Sequence, residues 1–186
     1  FGMVYTREEL AALYATCQKY DLRLFIDGAR LGYGLVSAAC DYDLPFLAKH
    51  CDVFYIGGTK VGAMMGEAVV FSGMKAPKYF FTNVKRHGAL LAKGRMLGIQ
   101  FDTLFTDELY FKISRHAIAM ATRIRSIFEK HGIAIAYDSP TNQQFVVLSP
   151  ALYEAISPKL AFEIWERKSE HEIICRFVTS WATKEE

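Results

Sequence analysis

Phe25-Ile26-Asp27-Gly28-Ala29-Arg30-Leu31 and, further along, Tyr55-Ile56-Gly57-Gly58-Thr59-Lys60 are the two stretches on which the fold turns. Each is a short apolar run that gives way to glycine and a charged side chain, as a buried strand does at its carboxyl end. The strands are predicted over 22–26 and 53–56. A third run, Ala68-Val69-Val70-Phe71, follows a glycine-rich turn around Gly62 and Gly66. Upstream, Leu10, Leu13, Tyr14 and Cys17 recur at helical spacing within 7–20, and Thr6 with Glu9 makes a capping box. Short buried strands separated by helices predict an α/β sheet covered on both faces.

Beyond the third strand the spacing predicts a long helical stretch, interrupted near Gly94 and Gly98 and running to about Lys130. Its apolar stripe of Ile113, Ala117, Met120, Ala121, Ile124 and Ile127 reads as packing rather than a cofactor box. After the helix stop at His131-Gly132 the character changes. Strands are predicted over 133–137, 143–148, 162–165 and 173–178, with one helix over 151–156. These predict a small α+β domain with an antiparallel sheet, joined to the first by the long helix. The division expected is 1–112 and 113–186.

Twenty-two basic against twenty acidic residues leave a net charge of +2, too weak a field to imply nucleic acid or a membrane surface as partner. No apolar run approaches the ~20 residues that span a bilayer. The amino terminus has neither an initiator methionine nor the basic start of a signal peptide. Cys17, Cys40, Cys51 and Cys175 lack the close pairing of a zinc site or disulfide framework, so no metal is expected. They are expected to be buried free thiols in a reducing cytoplasm.

Ligands of an open α/β sheet bind at the carboxyl ends of its strands, so the Asp27 carboxylate, the Arg30 guanidinium and the Lys60 amine face one crevice. Pyridoxal-phosphate (PLP) chemistry asks for that set. It needs an amine for the Schiff base and an anion that keeps the pyridine nitrogen protonated, so that the ring accepts electrons. It also needs cations for the phosphate and the substrate carboxylate. Taken singly, an Asp-Gly strand end is more often a simple turn, and a lysine after glycines is nearly always solvated. The pair, in order and each behind an apolar strand, shifts the balance. Gly32 and Gly34 lack the third glycine of a dinucleotide fingerprint, and Gly57 stands too close to Lys60 for a P-loop.

The stretch through Asp27-Gly28-Ala29-Arg30-Leu31 resembles the signature of the threonine aldolase and β-eliminating lyase family of PLP enzymes. Lys60 falls where that family's Schiff-base lysine follows a strand and small residues. Gly88-Ala89-Leu90-Leu91-Ala92-Lys93-Gly94-Arg95 resembles its glycine-rich segment, and Cys175-Arg176-Phe177-Val178-Thr179-Ser180-Trp181 its Arg-hydrophobic-Val-Thr-x-Trp strand. The resemblance implies a fold type I, PLP-dependent transferase-like protein: part of the large domain with a parallel-rich sheet, then the small α+β domain.

It implies that Lys60 bonds the cofactor and Asp27 meets the pyridine nitrogen. Thr59 and Arg95 then reach the phosphate, while Arg30 and Arg176 hold the substrate carboxylate. The implied reaction is cleavage of a β-hydroxy-α-amino acid, such as threonine, to glycine and an aldehyde. β-Elimination, amino-group transfer and a non-catalytic scaffold remain open alternatives, and a homo-oligomer is implied by analogy. Two departures accompany the resemblance. Gly57-Gly58-Thr59 replaces a serine-rich approach to the lysine. The family's amino-terminal half, with its phosphate-cup loop and stacking ring, is missing before Phe1, so the chain is expected to be a fragment. None of the five histidines is an evident replacement for that ring, although His87 lies close to the segment before Arg95.

Overall fold

The computed structural model describes residues 2–185. Phe1, where the expected truncation falls, and Glu186 lie outside the described residues. Helix α1 (Arg7–Lys19) starts at the expected capping box: Thr6 accepts from the Glu9 amide, and the Glu9 carboxylate accepts from the Thr6 amide. Strand β1 (Phe25–Ile26) lies beside β2 (Val53–Gly57) and runs parallel to it, with Phe25 opposite Val53 and Ile26 opposite Phe54. Between them come the short helices α2 (Leu31–Leu35) and α3 (Leu44–Lys49). Strand β3 (Glu67–Phe71) returns antiparallel on the other side of β2, so the three-stranded sheet is mixed.

Strand β1 is shorter than the apolar pattern predicts. The buried Asp52 carboxylate accepts the Leu24 amide at 2.8 Å, which occupies a group the ladder would otherwise use. The same carboxylate pairs with Arg23 at 3.2 Å, and the Asp52 and Val53 amides donate to the Leu24 carbonyl. A buried aspartate thereby aligns the two parallel strands before their ladder begins.

The long helical stretch is three helices: α4 (Phe80–Arg86), α5 (Arg95–Phe105) and α6 (Leu109–Lys130). The break near Gly94 is real, because Gly94 caps α5, whereas Gly98 lies inside α5 on an open face. The second break is at Asp107 and Glu108, whose φ angles of 50° and 58° turn the chain through a short 3₁₀ segment. A left-handed acidic residue ends a helix as a glycine does, and no apolar period reveals it.

Helix α6 carries both cores. Tyr110 and Ala117 join Leu10, Tyr33, Leu47, Phe54 and Val61 beneath the first sheet. Ile124 and Phe128 pack on Val146, Leu148, Ile173, Cys175 and Phe177 of the second. That second sheet has the order β4 (Ile135–Tyr137), β5 (Gln143–Leu148), β7 (Ile173–Val178), β6 (Glu163–Arg167), and all its ladders are antiparallel. Helix α7 (Pro150–Ile156) is capped by Ser149 and begins on Pro150, where a missing N–H costs nothing. The four cysteines are free thiols, and burial pushes Cys40, Cys51 and Cys175 up, away from reactive thiolate. No helix among the described residues is long and apolar enough to cross a membrane.

Candidate active site

The two strand ends meet backbone to backbone. The Gly57 amide donates to the Gly28 carbonyl at 2.9 Å, and a Cβ on Gly28 would stand 1.7 Å from the Tyr55 carbonyl oxygen. Glycine is therefore required at position 28 for close approach. The approach brings Asp27 and Lys60 to the same sheet edge. Asp27 accepts from the Tyr55 hydroxyl and from the Ala29 amide at 3.0 Å. The Tyr55 hydroxyl first, then the Ala29 amide, hold its carboxyl below the usual carboxylate range, and the Lys60 ammonium acts in the same direction.

Lys60 sits in a loop secured by its backbone. The Tyr33 hydroxyl donates to the Lys60 carbonyl, and the Val61 and Ala63 amides both donate to the Gly58 carbonyl. From α6 the buried Tyr110 hydroxyl accepts the Gly32 amide at 3.1 Å and donates to the Gly57 carbonyl at 3.0 Å. One phenol thus pins the helix after Arg30 to the strand before Lys60. The Lys60 side chain is exposed, and its ammonium makes no hydrogen bond or ion pair among the described residues. Its neighbour Thr59 donates its hydroxyl to Glu67 at 3.0 Å, and the Gly58 amide donates to the same carboxylate.

Arg176 lies on β7, paired across the ladders with Phe145 and Glu163. Its guanidinium donates to Gln143 at 3.0 Å and to Glu163, and lies 5.1 Å from the Trp165 ring centroid. Its Nε is buried without a hydrogen-bond partner among the described residues. Arg30 is half-buried, and its guanidinium has no hydrogen-bond or ion-pair partner among the described residues. Burial first, then the charge of Arg176, lower its pKa from the ordinary value. Two cations whose charges act on each other share a single carboxylate, that of Glu163 on Arg176, and leave the Arg30 guanidinium unpaired among the described residues. A cavity of about 430 Å³ runs from Asp27 and Arg30 to Tyr33 and Gln143, along the open side of β1.

Of the six residues read from the sequence, Asp27 and Arg30 line the one cavity, while Lys60 acts on Asp27 and Arg176 on Arg30 through charge. Thr59 is turned toward Glu67. Arg95 opens α5 as an exposed side chain with no partner among the described residues. The same helix lays Leu97, Gln100 and Phe101 against the lysine loop, with Gln100 accepting from the Met64 amide at 2.7 Å. Lys93 and Met96 border a second cavity of about 430 Å³ there, with Met64 and Met65. His87 caps the end of α4 and is exposed. The residues that sequence reasoning missed are Tyr33, Tyr55, Tyr110, Gln143 and Glu163. Tyr55 alone left a trace: its side chain alternates with the buried Phe54 and Ile56, which puts it on the opposite face of β2.

Three comparisons bear on this arrangement. A family model described as beta-eliminating lyase matches residues 1–151. The chain is 30% identical over 186 residues to the low specificity L-threonine aldolase of Pseudomonas sp. (strain NCIMB 10558), a match covering 99% of this chain and 53% of that protein. It is 29% identical over 156 residues to the protein of the same description from Pseudomonas aeruginosa, covering 83% of this chain and 45% of that one. The chain thus spans about half the length of the curated relatives it matches. Among solved structures, Leishmania major threonine aldolase superposes with a TM-score of 0.94 at 38% identity, over 97% of this chain and 53% of that one. Mouse CSAD in its apo form superposes with a TM-score of 0.63 at 12% identity over 95% of this chain and 45% of that chain, a likeness of fold alone.

Proposed function

The chain belongs to the beta-eliminating lyase family, and from that premise we propose that the whole protein cleaves β-hydroxy-α-amino acids. In that reading it is a PLP-dependent aldolase that converts threonine or allo-threonine to glycine and acetaldehyde. The observation that supports the reading is the parallel pairing of β1 with β2, whose carboxyl ends lead into Asp27 and the Lys60 loop, with the Lys60 charge acting on Asp27. The donor set fits the cofactor at its reactive end: an amine without a partner among the described residues, and a carboxylate whose hydrogen bonds favour its ionised form.

When bound, PLP supplies the electron sink for the pair released as Cα–Cβ breaks. Lys60 would hold the cofactor by its amine. Asp27, ionised throughout the neutral range, keeps the proton on the pyridine nitrogen. Arg30 grips the substrate carboxylate, and Arg176 joins it once its guanidinium releases Glu163. The phosphate end falls to Arg95 and Thr59. Arg95 is free to turn toward it, whereas Thr59 must first release Glu67. The reading also includes a homo-oligomer, supported by the exposed Met64, Met65, Leu91 and Met96 around the second cavity.

A substrate gripped by its carboxylate alone distinguishes an aldolase from a transaminase of dicarboxylic acids, which requires a further cation for the distal acid. The test is turnover of threonine and allo-threonine by the whole protein with PLP and no keto acid. Glycine and acetaldehyde in equal amounts support the proposal. Turnover that requires pyruvate or 2-oxoglutarate, with no glycine formed, refutes it.

A further inference from the structure

Asp27 is held by one oxygen only. Its Oδ1 accepts both the Ala29 amide and the Tyr55 hydroxyl, while Oδ2 has no hydrogen-bond partner among the described residues. The asymmetry follows from the strand register. Ile26 stands opposite Phe54 on the parallel neighbour, so the next residue along each strand, Asp27 and Tyr55, lies on the same face. Phe25, two residues before Asp27, shares that face and lies 6.0 Å from the Tyr55 ring, tilted by 33°. The backbones beneath cannot slip, because Gly28 leaves no space against the Tyr55 carbonyl and the Gly57 amide is bonded to Gly28. The phenol is thus delivered to Oδ1 from a fixed strand.

We infer that Tyr55 is a positioning residue, holding the Asp27 carboxylate by Oδ1 so that Oδ2 is presented to the pyridine nitrogen. The inference rests on the reading that Asp27 serves that nitrogen, and it adds how the carboxylate is aimed. An aspartate fixed only by its own turn rotates about its last bond and offers either oxygen. A second donor from the neighbouring strand selects one orientation, as outer partners do for the ligands of a metal. The phenol also draws charge from the carboxylate, which makes Asp27 a weaker base and favours keeping the shared proton on the ring.

The experiment uses Tyr55→Phe in the whole protein, with Asp27→Asn alongside. The Asp27 carboxyl is followed by carbon NMR in cofactor-free protein, its resonance assigned by its loss in Asp27→Asn. Steady-state kinetics are measured on the PLP-loaded proteins. The expected result is an upward shift of the Asp27 titration midpoint in Tyr55→Phe. With it kcat should fall about tenfold at an unchanged KM, the signature of a lost interaction with the reacting system rather than with the carboxylate anchor. If Asp27→Asn is inactive while Tyr55→Phe changes neither the Asp27 midpoint nor kcat, the inference fails and the role of Asp27 stands. If Asp27→Asn retains full activity, the underlying reading fails. A Tyr55→Phe protein that is less stable, yet has an unmoved Asp27 midpoint, assigns Tyr55 to packing and overturns the inference.

Discussion

Replacing Tyr110 with phenylalanine removes one oxygen from the centre of the fold, and the structure sets the size of the loss. The ring is fully buried and stacks on Phe105 with centroids 5.2 Å apart at 14°, packing that phenylalanine retains. Burial raises the pKa of the phenol well above its ordinary value, so the hydroxyl is neutral and can donate and accept together. It accepts the Gly32 amide, in the first turn of α2 where no intrahelical partner exists, and donates to the Gly57 carbonyl. Leaving one buried amide without a partner costs about 1–3 kcal/mol, and the net loss of the second bond adds roughly 0.5–1.5 kcal/mol. The expected destabilisation is about 1.5–4.5 kcal/mol. With a urea slope of about 2 kcal/mol per molar, the midpoint of unfolding falls by about 0.7–2.2 M. Equilibrium urea unfolding, followed by circular dichroism on the parent and the variant, reads this directly. A midpoint shift below about 0.3 M at unchanged slope would refute the claim that this phenol ties the Arg30 helix to the Lys60 strand.

Gly28→Ala should be among the most damaging single-methyl changes, because its Cβ meets backbone rather than a movable side chain. Loss of soluble protein, or a destabilisation above about 3 kcal/mol, is expected by thermal or urea melting, and a near-neutral variant contradicts the close approach. Arg30→Lys and Arg176→Lys should each raise KM for amino acids more than they weaken PLP binding, since a point charge replaces a planar fork; the opposite pattern in cofactor titrations reverses the assignment. The hydrogen bond to Asp27 pushes Tyr55 up to about 12 from an ordinary 10.0. An acid whose pKa is raised on folding contributes stability that is full below pH 10 and lost as pH rises through about 12. The ultraviolet difference between parent and Tyr55→Phe should therefore show phenolate appearing late, near pH 12, and a transition near pH 10 would show that the bond is absent.

The parts of the site written in contiguous residues were legible. Asp27-Gly28-Ala29-Arg30 and Gly57-Gly58-Thr59-Lys60 each combine local turn chemistry with an apolar strand, so their strand-end positions were legible, while their joint meaning came only from the pair taken together. The helix cap at Thr6 and the strand of Arg176 were legible for the same reason. The residues that were not legible act across long sequence separations. Tyr110 reaches Gly32 over 78 positions, and Tyr55 reaches Asp27 over 28. A tyrosine in an apolar helix stripe looks like packing until the fold shows two backbone groups waiting for it. The break at Asp107 and Glu108 was hidden because neither residue is a glycine or proline. Glu163 escaped notice because β6 is exposed along its whole length, and only its register against β7 puts it opposite Arg176.

The central claim is that Lys60 holds PLP in the whole protein. The direct measurement is borohydride reduction of the PLP-loaded protein, digestion, and mass spectrometry of the peptides. The account predicts a pyridoxyl group on the Lys60 side chain, and its loss with the yellow colour in Lys60→Ala. A pyridoxyl group on another lysine, Lys93 above all, or a reduced protein carrying none, would contradict it.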